Sequence, residues 1–171
     1  YCSFYSIPVN GMDGARFRSL QERYIKAVLL EMDQYSLDKG SVKTVYVGGG
    51  SPGILEPDVV SALLEGVTRR LGVVSEFSFE SNPGQIDEEY CRCLFSHGVN
   101  RLSIGVQSFN KQELEYLGRP YSTETALKAI ADARQAGFSN ISIDMIFAIP
   151  GSSRENWKKG LAAAISTETE H

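Results

Sequence analysis

Three segments of the chain alternate apolar and polar residues and end on a polar side chain: Phe77-Ser78-Phe79-Glu80, Leu102-Ser103-Ile104-Gly105-Val106-Gln107 and Ile141-Ser142-Ile143-Asp144. A period of two predicts strands whose opposite faces differ in character. Strands of a helix-covered parallel sheet normally read as unbroken apolar runs, so one face here is wet. If these strands curve into a barrel with helices outside, Ser78, Glu80, Ser103, Gln107, Ser142 and Asp144 point into its lumen. Small closed barrels fill that space with Val, Ile and Leu. A polar lumen therefore predicts an incomplete barrel that holds a large polar ligand.

The other elements fall between these strands. Phe17, Leu20, Tyr24, Val28, Met32 and Tyr35 recur at steps of three and four, which predicts a long helix from about Asp13 to Lys39 that Gly40 ends. Val42 to Val47 reads as a short strand running into Gly48-Gly49-Gly50-Ser51-Pro52. A helix then starts at Pro57, a residue suited to the first helical position, with Val60, Leu63, Leu64, Val67 and Leu71 on one side. Strand 76–81, a helix from Asp87 to Ser96, strand 101–107, a helical stretch broken near Gly118, strand 140–147 and a helix bearing Trp157, Leu161 and Ile165 complete the order. Alternating strands and helices predict right-handed βαβ units and a parallel sheet. The fold class is α/β, a partial parallel (β/α) barrel in one domain over residues 1–171, with a doubly wound open sheet as the structural alternative.

Composition narrows the function. With 171 residues, 42% of them hydrophobic, the chain can bury a real core. Its net charge of -4 and lack of a dense basic run argue against nucleic acid as a partner. No apolar run reaches the roughly eighteen residues of a membrane span and no signal-peptide pattern opens the chain, so it reads as cytoplasmic. Three cysteines, odd and sparse, point to reduced thiols or metal ligands rather than disulfides. The absence of an initiator Met and the ending Glu168-Thr169-Glu170-His171 suggest a fragment.

Residues that could carry chemistry gather at the C-terminal ends of strands, where parallel barrels place their sites. The triglycine lets a ligand approach the main chain closely, or forms a tight turn or a phosphate-binding nest. Glu80, ahead of Ser81-Asn82-Pro83-Gly84, could accept bonds from ribose hydroxyls or an ammonium, or else form a salt bridge or cap. Gln107 and Asp144 share the same expected lumen. Arg119, beyond the strand, has the planar fork that matches a carboxylate, although a solvated loop arginine is the commoner case. Cys2 alone reads as a small buried hydrophobe. Cys91 and Cys93 stand two apart on a helix, face nearly opposite ways and cannot clamp one metal.

Beyond these local readings, Tyr1-Cys2-Ser3-Phe4-Tyr5-Ser6 resembles the end of the C-x3-C-x2-C cluster motif of the radical S-adenosylmethionine family. The triglycine block, Glu80 to Gly84, Gly98 to Phe109, Leu117-Gly118-Arg119 and Asp144 to Gly151 resemble, in order, blocks of its oxygen-independent coproporphyrinogen III oxidase-like members. The resemblance spans essentially the whole chain. True coproporphyrinogen dehydrogenases carry a further cysteine where Phe4 stands, and Asn82-Pro83-Gly84 and Gln107-Ser108-Phe109 look more like the haem chaperone branch.

That resemblance implies a partial barrel of the radical S-adenosylmethionine core type, truncated here at both ends, over a 4Fe-4S cluster held by three cysteines. Cys2 would be one ligand, with the other two expected three and seven positions upstream. Tyr1 would lie beside the adenine or cluster, and Gly49, Gly50 and Ser51 would contact the methionine part. Glu80 and Gln107 would meet the ribose or amino group, Arg119 the methionine carboxylate, and Asp144 the cofactor or whatever shares its cavity. The implied function is haem binding and transfer to an acceptor protein, with haem as a further ligand and a homodimer of the longer protein as a further expectation. The alternatives are radical decarboxylation of coproporphyrinogen III to protoporphyrinogen IX and, from another class, a cluster-free barrel that binds a phosphorylated metabolite. The fragment itself is expected to be inactive.

Overall fold

The computed structural model describes residue 9 and residues 11–171. Helix α1 (Gly14–Met32) precedes strand β1 (Thr44–Val47), which leads through a 3-10 turn (Pro52–Ile54) to α2 (Pro57–Leu71). Strand β2 (Glu76–Ser81), a second turn (Pro83–Gln85), α3 (Glu88–Ser96) and β3 (Arg101–Gln107) follow. Next come the short α4 (Lys111–Tyr116), α5 (Thr123–Gln135), β4 (Ile141–Met145) and α6 (Arg154–Ser166). Asp13, Asp87, Asn110, Ser122 and Ser153 each accept a backbone N–H at a helix start, which explains why helices begin there.

All three strand pairings are parallel and the spatial order equals the chain order, β1-β2-β3-β4. A doubly wound sheet reverses its order at a switch point. This sheet does not, so every crossover advances the same way, as in an arc of a barrel. The register places Tyr46 beside Ser78, Glu80 beside Ser103, and Ser103 beside Ser142. The expected polar residues therefore share one face of the sheet. The other face carries Phe77, Phe79, Leu102, Ile104, Val106 and Ile141, all buried in one core with Val60, Leu64, Leu94, Ala129 and Phe138 from the helices.

Some boundaries differ from the sequence expectation. Helix α1 ends at Met32, well before Lys39: the Gln34 and Tyr35 N–H groups donate three residues back, to Glu31 and Met32, and Arg70 Nε and Nη2 donate to the Asp33 carboxylate at 2.6 and 2.7 Å. The buried side of α1 is Gln21 and Ile25, while Tyr24 and Tyr35 are exposed. Gln21 lies inward because its side-chain oxygen accepts from the Glu56 N–H at 2.8 Å. Strand β1 starts at Thr44 rather than Val42, and β4 stops at Met145 rather than Phe147. There a register shift on β3 sends the Ile146 N–H to the Gln107 carbonyl at 2.9 Å, and the chain turns away through Ala148 at φ +55°. Among the described residues no helix is long and apolar enough to cross a membrane.

Candidate functional site

The polar face of the sheet opens where its strands end. Strand β1 alternates Thr44 and Tyr46 onto that face, and the next position on it is Gly48. A Cβ at Gly48 would lie 2.6 Å from Tyr46 Cε1 and 2.8 Å from Glu80 Oε2. Glycine is thus favoured there by the close approach of the Tyr46 ring and the Glu80 carboxylate, not by its backbone angle. Gly49 and Gly50 do need their backbone freedom, at φ +82° and +56°, and a Cβ on either would meet nothing within 4 Å. The loop therefore offers bare main chain to open space.

Glu80, at the end of β2, organises this corner. Its Oε1 accepts from the Tyr46 hydroxyl at 2.6 Å and its Oε2 from the Gly49 N–H at 3.0 Å. Each carboxylate oxygen keeps a second lone pair for a further donor. Burial, then the hydrogen bond to Glu80 and the Glu80 charge, push the Tyr46 phenol up to about 12, so it stays a neutral donor. Across the face, Ser103 donates to Asp144 at 3.3 Å. Asp144 is exposed as a residue, yet burial of its carboxylate raises its pKa; Glu80 adds to the rise while Ser103 and Arg101 oppose it. A phosphate brought to the triglycine would meet the Glu80 carboxylate already bonded to Gly49 N–H. An ammonium, a sulfonium or hydroxyl donors suit this charge better.

A second group of residues stands beside the first. The Asn82-Pro83-Gly84-Gln85 turn brings Gln85 Oε1 back to the Asn82 N–H at 3.2 Å, the reciprocal bond of a capping box. Asn82 Nδ2 donates to Ser51 Oγ at 2.9 Å, and Ser51 Oγ donates to Gln85 Oε1 at 2.9 Å. Asn82 Oδ1 accepts from Arg119 Nη1 at 3.0 Å. A Cβ at Gly105 would be 2.7 Å from Gln107 Nε2 and 3.2 Å from Asn82 Oδ1, so the Gln107 amide folds over this glycine toward Asn82. The Tyr121 hydroxyl donates to the Gly105 carbonyl at 2.6 Å, and burial raises its pKa.

Gln107 itself is strained. It has φ +65°, and the Ser108 N–H donates across it to the Val106 carbonyl at 2.7 Å, a γ-turn of the rare hand. A left-handed non-glycine residue costs about 1–2 kcal/mol. Such strain persists where neighbours over-determine the conformation, and it concentrates at functional sites.

The structure thus brings together seven residues singled out from sequence: Gly49, Gly50, Ser51, Glu80, Gln107, Arg119 and Asp144 all border one polar face. Tyr1 and Cys2 lie outside the described residues. Cys91 is fully buried and burial pushes its thiol up to about 12, whereas Cys93 is half-buried with its sulfur 3.2 Å from Ser61 Oγ. Both belong to α3 on the helical side, as expected for structural thiols. Sequence reasoning missed Tyr46 and the bridging pair Asn82 and Gln85. Alternation from Gly48 back to Tyr46 carried the first signal, and the N-x-x-Q spacing of a capping box carried the second.

A family model described as the Radical SAM superfamily matches residues 1–162. The chain is 31% identical to the heme chaperone HemW of Lactococcus lactis subsp. lactis (strain IL1403), covering 100% of this chain and 43% of that protein. Against heme chaperone HemW of Escherichia coli (strain K12) the identity is 31%, over 100% of this chain and 45% of that one. Radical S-adenosyl methionine domain-containing protein 1, mitochondrial, of Danio rerio is 35% identical over 84% of this chain and 32% of its own length. The chain therefore spans less than half of these relatives. Among solved structures, coproporphyrinogen III oxidase (HemN) from Escherichia coli, a radical SAM enzyme, superposes with a TM-score of 0.85 at 25% identity, over 99% of this chain and 38% of that one. Methylornithine synthase (PylB) shares the fold, with a TM-score of 0.66 at 16% identity over 86% of this chain and 41% of that one.

Proposed function

The chain belongs to the radical S-adenosylmethionine superfamily, and from that premise we propose that it is the core segment of a longer haem-chaperone-like protein that binds S-adenosylmethionine on the polar face of its sheet. The observation that carries this reading is the open Gly49-Gly50 backbone braced by Glu80, on one face with Gln107, Arg119 and Asp144.

The family implies a 4Fe-4S cluster and S-adenosylmethionine. The residues present fit the nucleotide. Bare main chain at Gly49 and Gly50 admits the methionine part, beside the Ser51 hydroxyl. The free lone pairs of Glu80 suit ribose hydroxyls or the amino group, with the Gln107 amide as a neighbour. The Arg119 guanidinium, which donates to Asn82 Oδ1, has the planar fork that suits a carboxylate. Among the described residues no group of three or more His, Cys, Asp or Glu could hold a metal ion. We assign Cys2 as one ligand, with two cysteines of the longer protein beside it and Tyr1 against the adenine or cluster. When bound, the cluster and nucleotide supply reductive cleavage of the sulfonium, and the protein supplies position and exclusion of water.

The haem chaperone branch draws its support from the relatives and from Phe4, which stands where a coproporphyrinogen dehydrogenase has a cysteine. On this reading haem is the cargo, an acceptor protein receives it, and the longer protein pairs with itself. The TM-score of 0.85 to coproporphyrinogen III oxidase favours the second reading, oxidative decarboxylation of coproporphyrinogen III. Anaerobic incubation of the reconstituted full-length protein with coproporphyrinogen III, S-adenosylmethionine and a reductant separates them. The chaperone reading expects no protoporphyrinogen and a Soret shift on titration with haem. Formation of protoporphyrinogen would replace it with the second reading.

A further inference from the structure

We infer that Glu113 is a positioning residue that locks the Gln107 corner of the nucleotide face by clamping the loop after β3 to the loop after β4; the inference rests on reading that face as a nucleotide site. Glu113 is half-buried on α4 and touches neither Gln107 nor Asp144 in any hydrogen bond of the structure; it acts through serines. Its Oε2 accepts from the Ser108 hydroxyl, and its Oε1 accepts from the Ser152 hydroxyl at 2.5 Å. Hydroxyl bonds to a carboxylate are shorter and stronger than neutral ones.

Both serines sit where a clamp has leverage. Ser108 directly follows Gln107, the residue held at φ +65°. Its Oγ also accepts from the Asn110 N–H at 2.9 Å, and the Asn110 side chain in turn caps α4 by accepting from the Gln112 and Glu113 N–H groups. Helix start, strained corner and clamp therefore form one closed circuit. Ser152 lies beyond β4, and its N–H donates to the carbonyl of buried Ile149 at 2.9 Å. Among the described residues, the backbone tie between the two loops is the Ile146 N–H donating to the Gln107 carbonyl at 2.9 Å. Glu113 thus supplies the side-chain half of a two-point attachment around a residue that strain would otherwise relax. The neighbouring Glu115 is exposed and pairs with Lys111 at 3.8 Å.

The test uses the full-length protein reconstituted without oxygen. S-adenosylmethionine binding by calorimetry and the thermal midpoint are measured for the parent, Glu113→Ala, Glu113→Gln, Ser152→Ala and the Glu113→Ala/Ser152→Ala pair. Loss of the clamp should weaken nucleotide binding about 5–10-fold, with Glu113→Gln recovering part of it because its amide retains one acceptor. The double variant should bind no more weakly than Glu113→Ala alone, since both remove one circuit. If Glu113→Ala does not fold, Ser152→Ala carries the test, with a loss of about 2–3-fold. A parent that binds while Glu113→Ala and Ser152→Ala bind equally well overturns the inference and leaves the site intact. So does a loss that simply follows the thermal midpoint across all variants. A parent that takes up no nucleotide overturns the reading of the face and the inference with it.

Discussion

At the residue scale the site depends on close approach around Gly48. A methyl group there would sit 2.6 Å from Tyr46 and 2.8 Å from Glu80, both of which are ends of side chains rather than backbone. They can move aside, so Gly48→Ala should fold, but Glu80 would leave the Gly49 N–H. The expected result is a nucleotide affinity lower by about tenfold, or about 1.4 kcal/mol, with a thermal midpoint close to that of the parent. Gly49→Ala differs in kind, since its Cβ meets nothing and only the left-handed backbone resists it. Asp144 offers a test by pH. Burial raises its pKa, so the folded state holds that proton more tightly than the unfolded chain. Stability attributable to this group is present below the ordinary carboxylate range and is lost as pH rises through the raised value. Asp144→Asn removes that loss. In thermal unfolding from about pH 3 to about pH 8, the midpoint of the variant relative to the parent should climb with pH. A constant difference would contradict the raised value.

At the element scale the sequence was most readable where alternation and breakers agreed. Strands 76–81 and 101–107 match the structure at both ends, because Pro83 and the turn at Gln107 stop them and their core faces are unbroken Phe, Leu, Ile and Val. The end of α1 was hidden, since no glycine or proline marks it and the chain simply tightens into turns at Gln34 and Tyr35. The stripe on α1 misled for another reason: Gln21 is inside through a bond to the Glu56 backbone, while Tyr24 is outside. At the site, Glu80 and Asp144 were legible as polar strand ends. Tyr46 and Asn82 were only faintly so, because their importance lies in partners brought from a neighbouring strand and a distant loop. Helix α3 gives a direct check on its predicted two-sidedness. With Cys91 fully buried and its thiol pushed up, and Cys93 half-buried beside Ser61, a thiol reagent followed by mass spectrometry should label Cys93 on the folded protein and Cys91 only after unfolding. Equal labelling of both would contradict the packing of α3 against the sheet.

At the scale of the whole molecule, the order β1-β2-β3-β4 without reversal makes the sheet an arc with an inside and an outside. The outside is closed by helices and a continuous core, and the inside is lined by Tyr46, Glu80, Ser103, Gln107 and Asp144. Core and polar face are thus separate: the core specifies the arc, and the polar face carries the candidate site. On the function proposed above, the polar face is the seat of a sulfonium nucleotide. The most direct measurement is calorimetric titration of S-adenosylmethionine into the anaerobically reconstituted full-length protein, for the parent and for Glu80→Gln. Saturable binding by the parent, weakened tenfold or more by Glu80→Gln at an unchanged iron content, is the predicted result, since loss of one charged hydrogen-bonding partner costs about 1.5–3 kcal/mol. Equal binding by both proteins, or none by an iron-loaded parent, would contradict it.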